Sequence, residues 1–279
     1  MIYSFVRYLE AKKTVDDRAL NHHVWQTLRA ALPSGPLTIL EAGAGIGTMI
    51  GRLSEWDIFS GSRYIAIDSD PENIRTATQR LADNPPPFTV EMETADVLDY
   101  LVDDSRKGKV DLLIAHAFLD LLDISTALPV LFSAMAPGGH FYFTLNFDGV
   151  TVFEPVIDRA FDEQVLALYH RTMDERLVNG RPSGDSRSGR HLLQEIPAAG
   201  GEILAAGSSD WIVFPQDGRY QGGEAYFLHH ILHFVETSLT GHAELDPKRL
   251  ANWLARRHAQ VDAGELIYIA HQLDVAGRV

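Results

Sequence analysis

A chain of 279 residues with 46% apolar content can bury a sizeable core, as one large domain or as a domain with a cap. Its 24 basic residues against 38 acidic ones leave a formal charge of −14, which disfavours a nucleic-acid partner whose phosphates would need a basic face. With no cysteine, disulfides, thiolate zinc sites and cysteine nucleophiles are excluded, and no apolar run nears the ~18 residues of a membrane helix. The opening Met1-Ile2-Tyr3-Ser4-Phe5 lacks the basic-then-apolar layout of a secretion signal, so a cytoplasmic protein is expected.

Residues 3–32 place Phe5, Tyr8, Leu9, Ala19, Leu20, Val24, Leu28 and Ala31 near helical spacing. Between the two halves of that pattern, Thr14 or Asp16 would cap a second helix. Alternatively this helix closes over a ligand and offers it Arg18, Asn21 or His22. After the break at Pro33-Ser34-Gly35-Pro36, an apolar run (Ile39, Leu40) ends in Glu41, and Gly43, Gly45 and Gly47 follow before a helix resumes at Met49. Glycines at that spacing allow a tight turn from a buried strand into a helix and let a ligand approach the backbone. A pyrophosphate-binding turn has no use for the carboxylate at 41; a ligand carrying positive charge does. The G-x-G-x-x-G dinucleotide fingerprint also fails, because Thr48 stands where its last glycine belongs.

The helix runs to about Ser54 or Trp56, and Tyr64-Ile65-Ala66-Ile67-Asp68 reads as a second buried parallel strand ending in an acid. An acid there hydrogen-bonds ribose hydroxyls in nucleoside-binding folds. Asp70-Pro71 starts a helix to about Leu81, and Phe88 to Glu93 alternates as a third strand. Asp96 follows it, an N-cap for Val97 to Leu101 or a ligand contact. Asp111 to His116 is the fourth strand. His116 at its end is either a general base or a structural histidine with both nitrogens satisfied. A helix over Ile124 to Met135, the turn Ala136-Pro137-Gly138-Gly139 and a strand over His140 to Asn146 complete this half.

Taken in this order, Glu41-Ala42-Gly43-Ala44-Gly45-Ile46-Gly47, Asp68, Asp96-Val97 and the Pro137-Gly138-Gly139 turn resemble the class I S-adenosylmethionine-dependent methyltransferases over about residues 36–148. The resemblance implies an α/β fold, a doubly wound, mostly parallel seven-stranded sheet in the order 3-2-1-4-5-7-6. It implies a cofactor, S-adenosylmethionine, with S-adenosylhomocysteine as product. Glu41, Gly43, Ala44, Gly45, Gly47, Asp68, Ser69, Asp96, Val97 and His116 would hold it, with Asp96 on the adenine amino group and Val97 against the ring. His116, Asp120 and Asn146 are the candidate catalytic residues on the acceptor side. The N- or D-P-P-Y type motif of amino-group methylation is absent after the fourth strand, where Ala115-His116-Ala117-Phe118-Leu119-Asp120 stands, so an exocyclic or amide nitrogen is disfavoured as acceptor.

The second half departs from strand–helix alternation. Glu154 to Val178 is spaced for a helix with one buried face. Asn179 to Arg190 is a polar, glycine-rich loop, a solvated connection or a lid whose Arg181, Arg187 and Arg190 hold an acidic substrate. Glu202 to Ala206 is expected as the sixth strand, with Trp211 to Phe214 extending it or pairing with it, and Glu265 to Gln272 as the last, antiparallel strand. Gly222 to Leu239 is an apolar helix whose His229 and His233 sit at metal-ligand spacing, but no acid completes the motif and no metal is expected. The expected division is an N-terminal helical segment (1–35), a cofactor-binding core (36–149), a cap and lid (150–200) and the rest of the sheet (201–279) with a helical insertion (217–262). The expected partner is a small-molecule acceptor, with no nucleic acid and no membrane, and a homodimer is left open. The competing readings are a protein that binds S-adenosylmethionine without transferring a methyl group and an NAD-dependent oxidoreductase.

Overall fold

The computed structural model describes residues 2–56, 59–178 and 180–279. Helices α1 (Phe5–Ala19) and α2 (His22–Ala31) precede strand β1 (Thr38–Ala42). There follow α3 (Thr48–Glu55), β2 (Arg63–Asp68), α4 (Pro71–Asp83), β3 (Thr89–Thr94), α5 (Val97–Leu101), β4 (Val110–His116), α6 (Ile124–Ser133) and β5 (Met135–Glu154). The second half adds α7 (Arg159–Asp174), a hairpin of β6 (Leu177–Val178) and β7 (Arg181–Pro182), α8 (Ser188–Ala198) and β8 (Glu202–Ser208). It ends with β9 (Trp211–Val213), α9 (Glu224–Leu239), α10 (Pro247–Asp262) and β10 (Ile267–Arg278). No helix among the described residues is long and apolar enough to cross a membrane.

The central sheet runs β3-β2-β1-β4-β5-β10-β8, parallel from β3 to β5, with β10 antiparallel to both its neighbours. This is the expected order, with one strand more. Trp211–Val213 does not join β8 but pairs with β10, whose first half (Tyr268 to Ala270) takes β9 while its second half takes β8.

Consecutive buried residues along β1 and β4 follow from helices on both faces. Ile39, Leu112, Ile114 and Tyr142 pack beneath α2 and α3, and Leu40, Leu113, Ala115, Phe141 and Phe143 beneath α5, α6 and α8. A third cluster joins α1, α7, α9, α10 and β9 into a cap at the edge of the sheet, around Phe227, Leu228 and Leu232 of the nearly all-buried α9.

Several expectations change. Helix α1 continues unbroken through Lys12 to Ala19, so neither Thr14 nor Asp16 caps α2; Asn21 does, its Oδ1 accepting from Val24 N at 3.0 Å. Strand β5 reaches Glu154, through the boundary expected at 149, and α7 is shorter than its apolar pattern. The polar stretch before Arg190 is tied down rather than solvated. Ser186 N donates to Asp174 Oδ1 (2.7 Å), Ser188 Oγ to the Phe147 carbonyl (3.0 Å), and α8 starts at Ser188. At Gly189 a Cβ would lie 2.8 Å from the Asn146 carbonyl, so only glycine lets α8 approach β5 this closely. Helix α8 packs on the sheet and does not belong to the cap. Asn179 and the Arg181 side chain lie outside the described residues.

Candidate active site

The three glycines after β1 have φ of +70°, +54° and +74° at Gly43, Gly45 and Gly47, a region that side chains with a Cβ rarely adopt. Asp68, at the end of β2, fixes the turn from the side. Its Oδ2 accepts from Gly45 N (2.8 Å), and its Oδ1 accepts from Asp70 N (2.9 Å) and from Asn73 Nδ2 (3.2 Å). Ala44 N donates to the Ile67 carbonyl (2.8 Å), and Ser69 beside it is exposed. At the end of β3, Asp96 caps α5 through Oδ1, which accepts from Leu98 N (2.8 Å) and Asp99 N (3.3 Å), while its Oδ2 makes no hydrogen bond among the described residues. Val97 is buried next to it. Glu41 is not presented at the turn. It is buried on the α3 side of the sheet, accepts from Tyr64 Oη (2.6 Å), and burial pushes its carboxyl up to about 8 against that bond and the Arg52 charge.

Beside the turn lies an ionic network assembled from four distant parts of the chain. Asp16 of α1 is buried. Its Oδ2 meets Lys12 Nζ at 2.6 Å and His116 Nε2 at 3.2 Å, and its Oδ1 accepts from Trp211 Nε1 at 2.9 Å. Arg52 of α3, also buried, donates from Nε to Asp17 Oδ1 (2.5 Å), and its Nη1 lies 3.0 Å from His116 Nε2. Burial alone would raise the Asp16 carboxyl, but Lys12, His116 and Arg52 outweigh it and hold it well below the usual carboxylate range. His116 Nδ1 lies 2.7 Å from Thr144 Oγ1. Burial and then the Arg52 charge depress His116 to about 4, so the ring is neutral, and both of its nitrogens are engaged from within the protein. Backbone strain gathers at the same place. Ala117, directly after β4, and Leu145 in β5 are non-glycine residues at φ +49° and +56°. Leu145 N donates to the buried Asp274 Oδ1 (2.8 Å), and Asn146 Nδ2 donates to the Leu273 carbonyl (2.9 Å), leaving Asn146 Oδ1 buried without a partner among the described residues.

Phe118 lies directly on the glycine turn: a Cβ on Gly43 would fall 2.2 Å from its ring. Two residues on, Asp120 has a buried Oδ1 with no hydrogen-bond partner among the described residues. Burial raises its carboxyl, partly offset by Arg176. Asp120 sits within electrostatic reach of Tyr8 and Tyr169, and Tyr8 in turn of Tyr268 and Asp16. Burial pushes all three phenols up, so they stay protonated.

The remaining candidates fall elsewhere. Arg18 Nη1 pairs with the buried Glu224 Oε1 at 2.6 Å, and Asn21 is the α2 cap, its Nδ2 donating to the Ser208 carbonyl (2.8 Å). Arg190, inside α8, donates from Nε to Asp148 Oδ1 (2.8 Å) and from Nη2 to Oδ2 (2.9 Å), and Arg187 precedes that helix. His229 faces α10, with His258 Nδ1 at 2.7 Å and Asp262 Oδ1 at 3.1 Å.

The profile described as a methyltransferase domain matches residues 39–139, from β1 into β5. Over this stretch, about a third of the chain, the sequence is similar to a methyltransferase domain. Among solved structures, a protein of Anaeromyxobacter dehalogenans described as a type II methyltransferase is 20% identical, with a TM-score of 0.55 over 92% of this chain and 96% of its own. The (4+2)-cyclase SpnF is 14% identical, with a TM-score of 0.50 over 98% and 93%. At these identities the likeness concerns the fold. No curated protein matches the chain in sequence.

The residues present are of the kind an adenosyl cofactor would need. The left-handed glycines give a backbone cradle, Asp68 is fixed at the end of β2, and Asp96 keeps one oxygen for a donor. Lys12, Asp16 and Arg52 are not among the candidate site residues read from the sequence, where Asp16 stands only as a possible helix cap, although their positions carry a signal. Tyr8, Ala11, Lys12, Val15, Asp16 and Ala19 form a single buried stripe on α1, and Arg52 shares the buried face of α3 with Met49 and Leu53. Charged residues on an apolar stripe mark buried ionic contacts.

Proposed function

We propose that the protein transfers a methyl group from S-adenosylmethionine to a small molecule held between the glycine turn and the cap. The observation that carries this reading is the place of Asp120 in the chain: Phe118 rests on Gly43, and the half-buried carboxylate two residues later has one buried oxygen without a partner among the described residues. In this reading Asp68 accepts from the ribose hydroxyls, Asp96 Oδ2 accepts from the adenine amino group, and Val97 packs on the ring. When bound, the cofactor supplies a methyl group on a positively charged sulfur. The protein's own task is then to align the acceptor in line with that methyl group, exclude water and remove a proton where the acceptor carries one. Asp120 is the general base, its carboxyl raised by burial; Tyr8, Tyr169 and Tyr268 donate to the acceptor's polar atoms. His116, with both nitrogens engaged, positions Arg52 and Thr144 and takes no proton. The large cap and the acidic net charge favour a small molecule over a nucleic acid.

The test is release of S-adenosylhomocysteine with phenols, carboxylic acids, amines and RNA offered in turn. A small acceptor should support turnover. Asp120→Asn should lower kcat by ~10²–10⁴-fold and remove the rise of kcat with pH that deprotonation of the base produces in the wild type. Turnover with RNA alone, or an unchanged Asp120→Asn enzyme, would overturn the reading. Tight binding of S-adenosylhomocysteine with no turnover on any acceptor would favour a protein that binds the cofactor without transferring methyl groups, and the cyclase neighbour SpnF is one fold relative whose description names a different reaction.

A further inference from the structure

A cavity of about 470 Å³ opens between α2 and α3 over the middle of β5, and none of the residues lining it belongs to the glycine turn or to the ends of β2 and β3. Its inner wall carries two polar atoms in want of acceptors. Tyr142 Oη and Arg52 Nη2 are both buried and make no hydrogen bond among the described residues. The nearest carboxylate oxygen to Nη2, on Asp16, is 3.5 Å away. Burial, and then the Asp274 charge, push the Tyr142 phenol well up against the opposing Arg52 charge, so it remains a donor, and both Tyr142 and Arg52 line this cavity. An unpartnered buried donor costs ~1–3 kcal/mol, so two on one cavity wall mark a place where an oxygen belongs.

The rest of the wall is aromatic. Trp25 and Trp56 lie with ring centroids 4.1 Å apart, and Trp25 lies 5.6 Å from Tyr142. At the mouth, Asp17 is already bonded to Arg52 and Lys13, while Glu55 adds a negative charge that Arg29 balances. Two converging donors ask for an anionic oxygen pair, and the balanced rim disfavours a doubly charged phosphate. Cavities of this volume hold a single small molecule largely enclosed.

We propose that the α2–α3 cavity binds a small aromatic monocarboxylate, its carboxylate oxygens accepting from Arg52 Nη2 and Tyr142 Oη and its ring against Trp25 and Trp56. The site is separate from the methyl-transfer site but not isolated from it. The guanidinium that would hold the carboxylate through Nη2 also reaches His116 through Nη1, at the end of β4.

Benzoate, benzamide, benzylamine and inorganic phosphate are the probes, titrated by calorimetry and by tryptophan fluorescence, with and without saturating S-adenosylhomocysteine. Benzoate should bind saturably in both conditions, benzamide more weakly, and benzylamine and phosphate not at all. Tyr142→Phe should weaken benzoate binding about tenfold or more, since a hydrogen bond to a charged group is worth ~1.5–3 kcal/mol. The unliganded variant should melt no lower than the wild type, because it loses only an unpartnered hydroxyl. Absence of benzoate binding, preference for benzylamine or phosphate, unchanged binding by Tyr142→Phe, or displacement of benzoate by S-adenosylhomocysteine would each overturn the proposal. None of these outcomes bears on methyl transfer at the glycine turn.

Discussion

The glycine turn and the ionic network share one edge of the sheet and are built in opposite ways. The turn is local: Gly43, Gly45 and Gly47 follow one another, their partner Asp68 ends β2, and Asp96 follows β3. Its three glycines take left-handed backbone that a Cβ would strain, and its backbone is held by neighbours close in sequence or on the adjoining strand. The network brings residue 16 to residues 52, 116 and 211, and it supplies its own counter-charges throughout. In the proposed function one region receives a ligand, while the other holds the cap to the sheet by charges that complete each other. That proposal needs both, because the cap would enclose an acceptor only if α1 stays where the network fixes it.

Breaking the network should therefore cost stability, and breaking the turn should cost affinity. The largest stability loss is expected for Asp16→Ala. It leaves Lys12 and Arg52 buried without their shared carboxylate and should lower the unfolding free energy by ~3–5 kcal/mol in urea titrations. A loss below about 1 kcal/mol would mean that Asp16 does not join the cap to the sheet. A pH experiment adds Glu41, buried within β1 ahead of the turn. Glu41 is raised from 4.5 to about 8 in the folded protein, so the native state keeps a proton that the unfolded chain releases. Its contribution makes stability fall as pH rises from about 4.5 to about 8, with no further change above. Glu41→Gln, which still accepts from Tyr64, should flatten that fall; an unchanged pH profile would place the Glu41 carboxyl in a far more polar setting. The smallest effect is expected at Asn21. Asn21→Ala removes the α2 cap, for ~1 kcal/mol of stability and no change in acceptor affinity. A large loss of acceptor affinity would restore Asn21 to the site.

The same contrast explains what the sequence discloses. The strands from β1 to β5, the helices between them and the acids at 68 and 96 were legible, because each is specified by a handful of neighbouring residues. So was the order of the main strands, through the resemblance. The network was not legible as a site, because no window of sequence contains Asp16 together with His116 and Trp211. Only the misplaced charges on two apolar stripes hinted at it. Strand β9, three residues long, was too short to declare its partner. The arginine-bearing loop looked solvated because its composition is polar; Arg190 is instead spent on Asp148 and the serines on carbonyls and carboxylates of neighbouring elements.

The most direct test of the account is calorimetric titration with S-adenosylmethionine, S-adenosylhomocysteine and NAD, on the wild type and on Asp68→Ala, with Asp68→Asn as the variant that keeps an acceptor for Gly45. Both adenosyl ligands should bind and NAD should not. Asp68→Ala should weaken adenosyl binding by about tenfold or more, as expected for loss of hydrogen bonds to a charged group, and Asp68→Asn should weaken it without lowering the melting temperature. Binding of NAD, or of no adenosyl ligand, would contradict the assignment of the glycine turn and the function that rests on it.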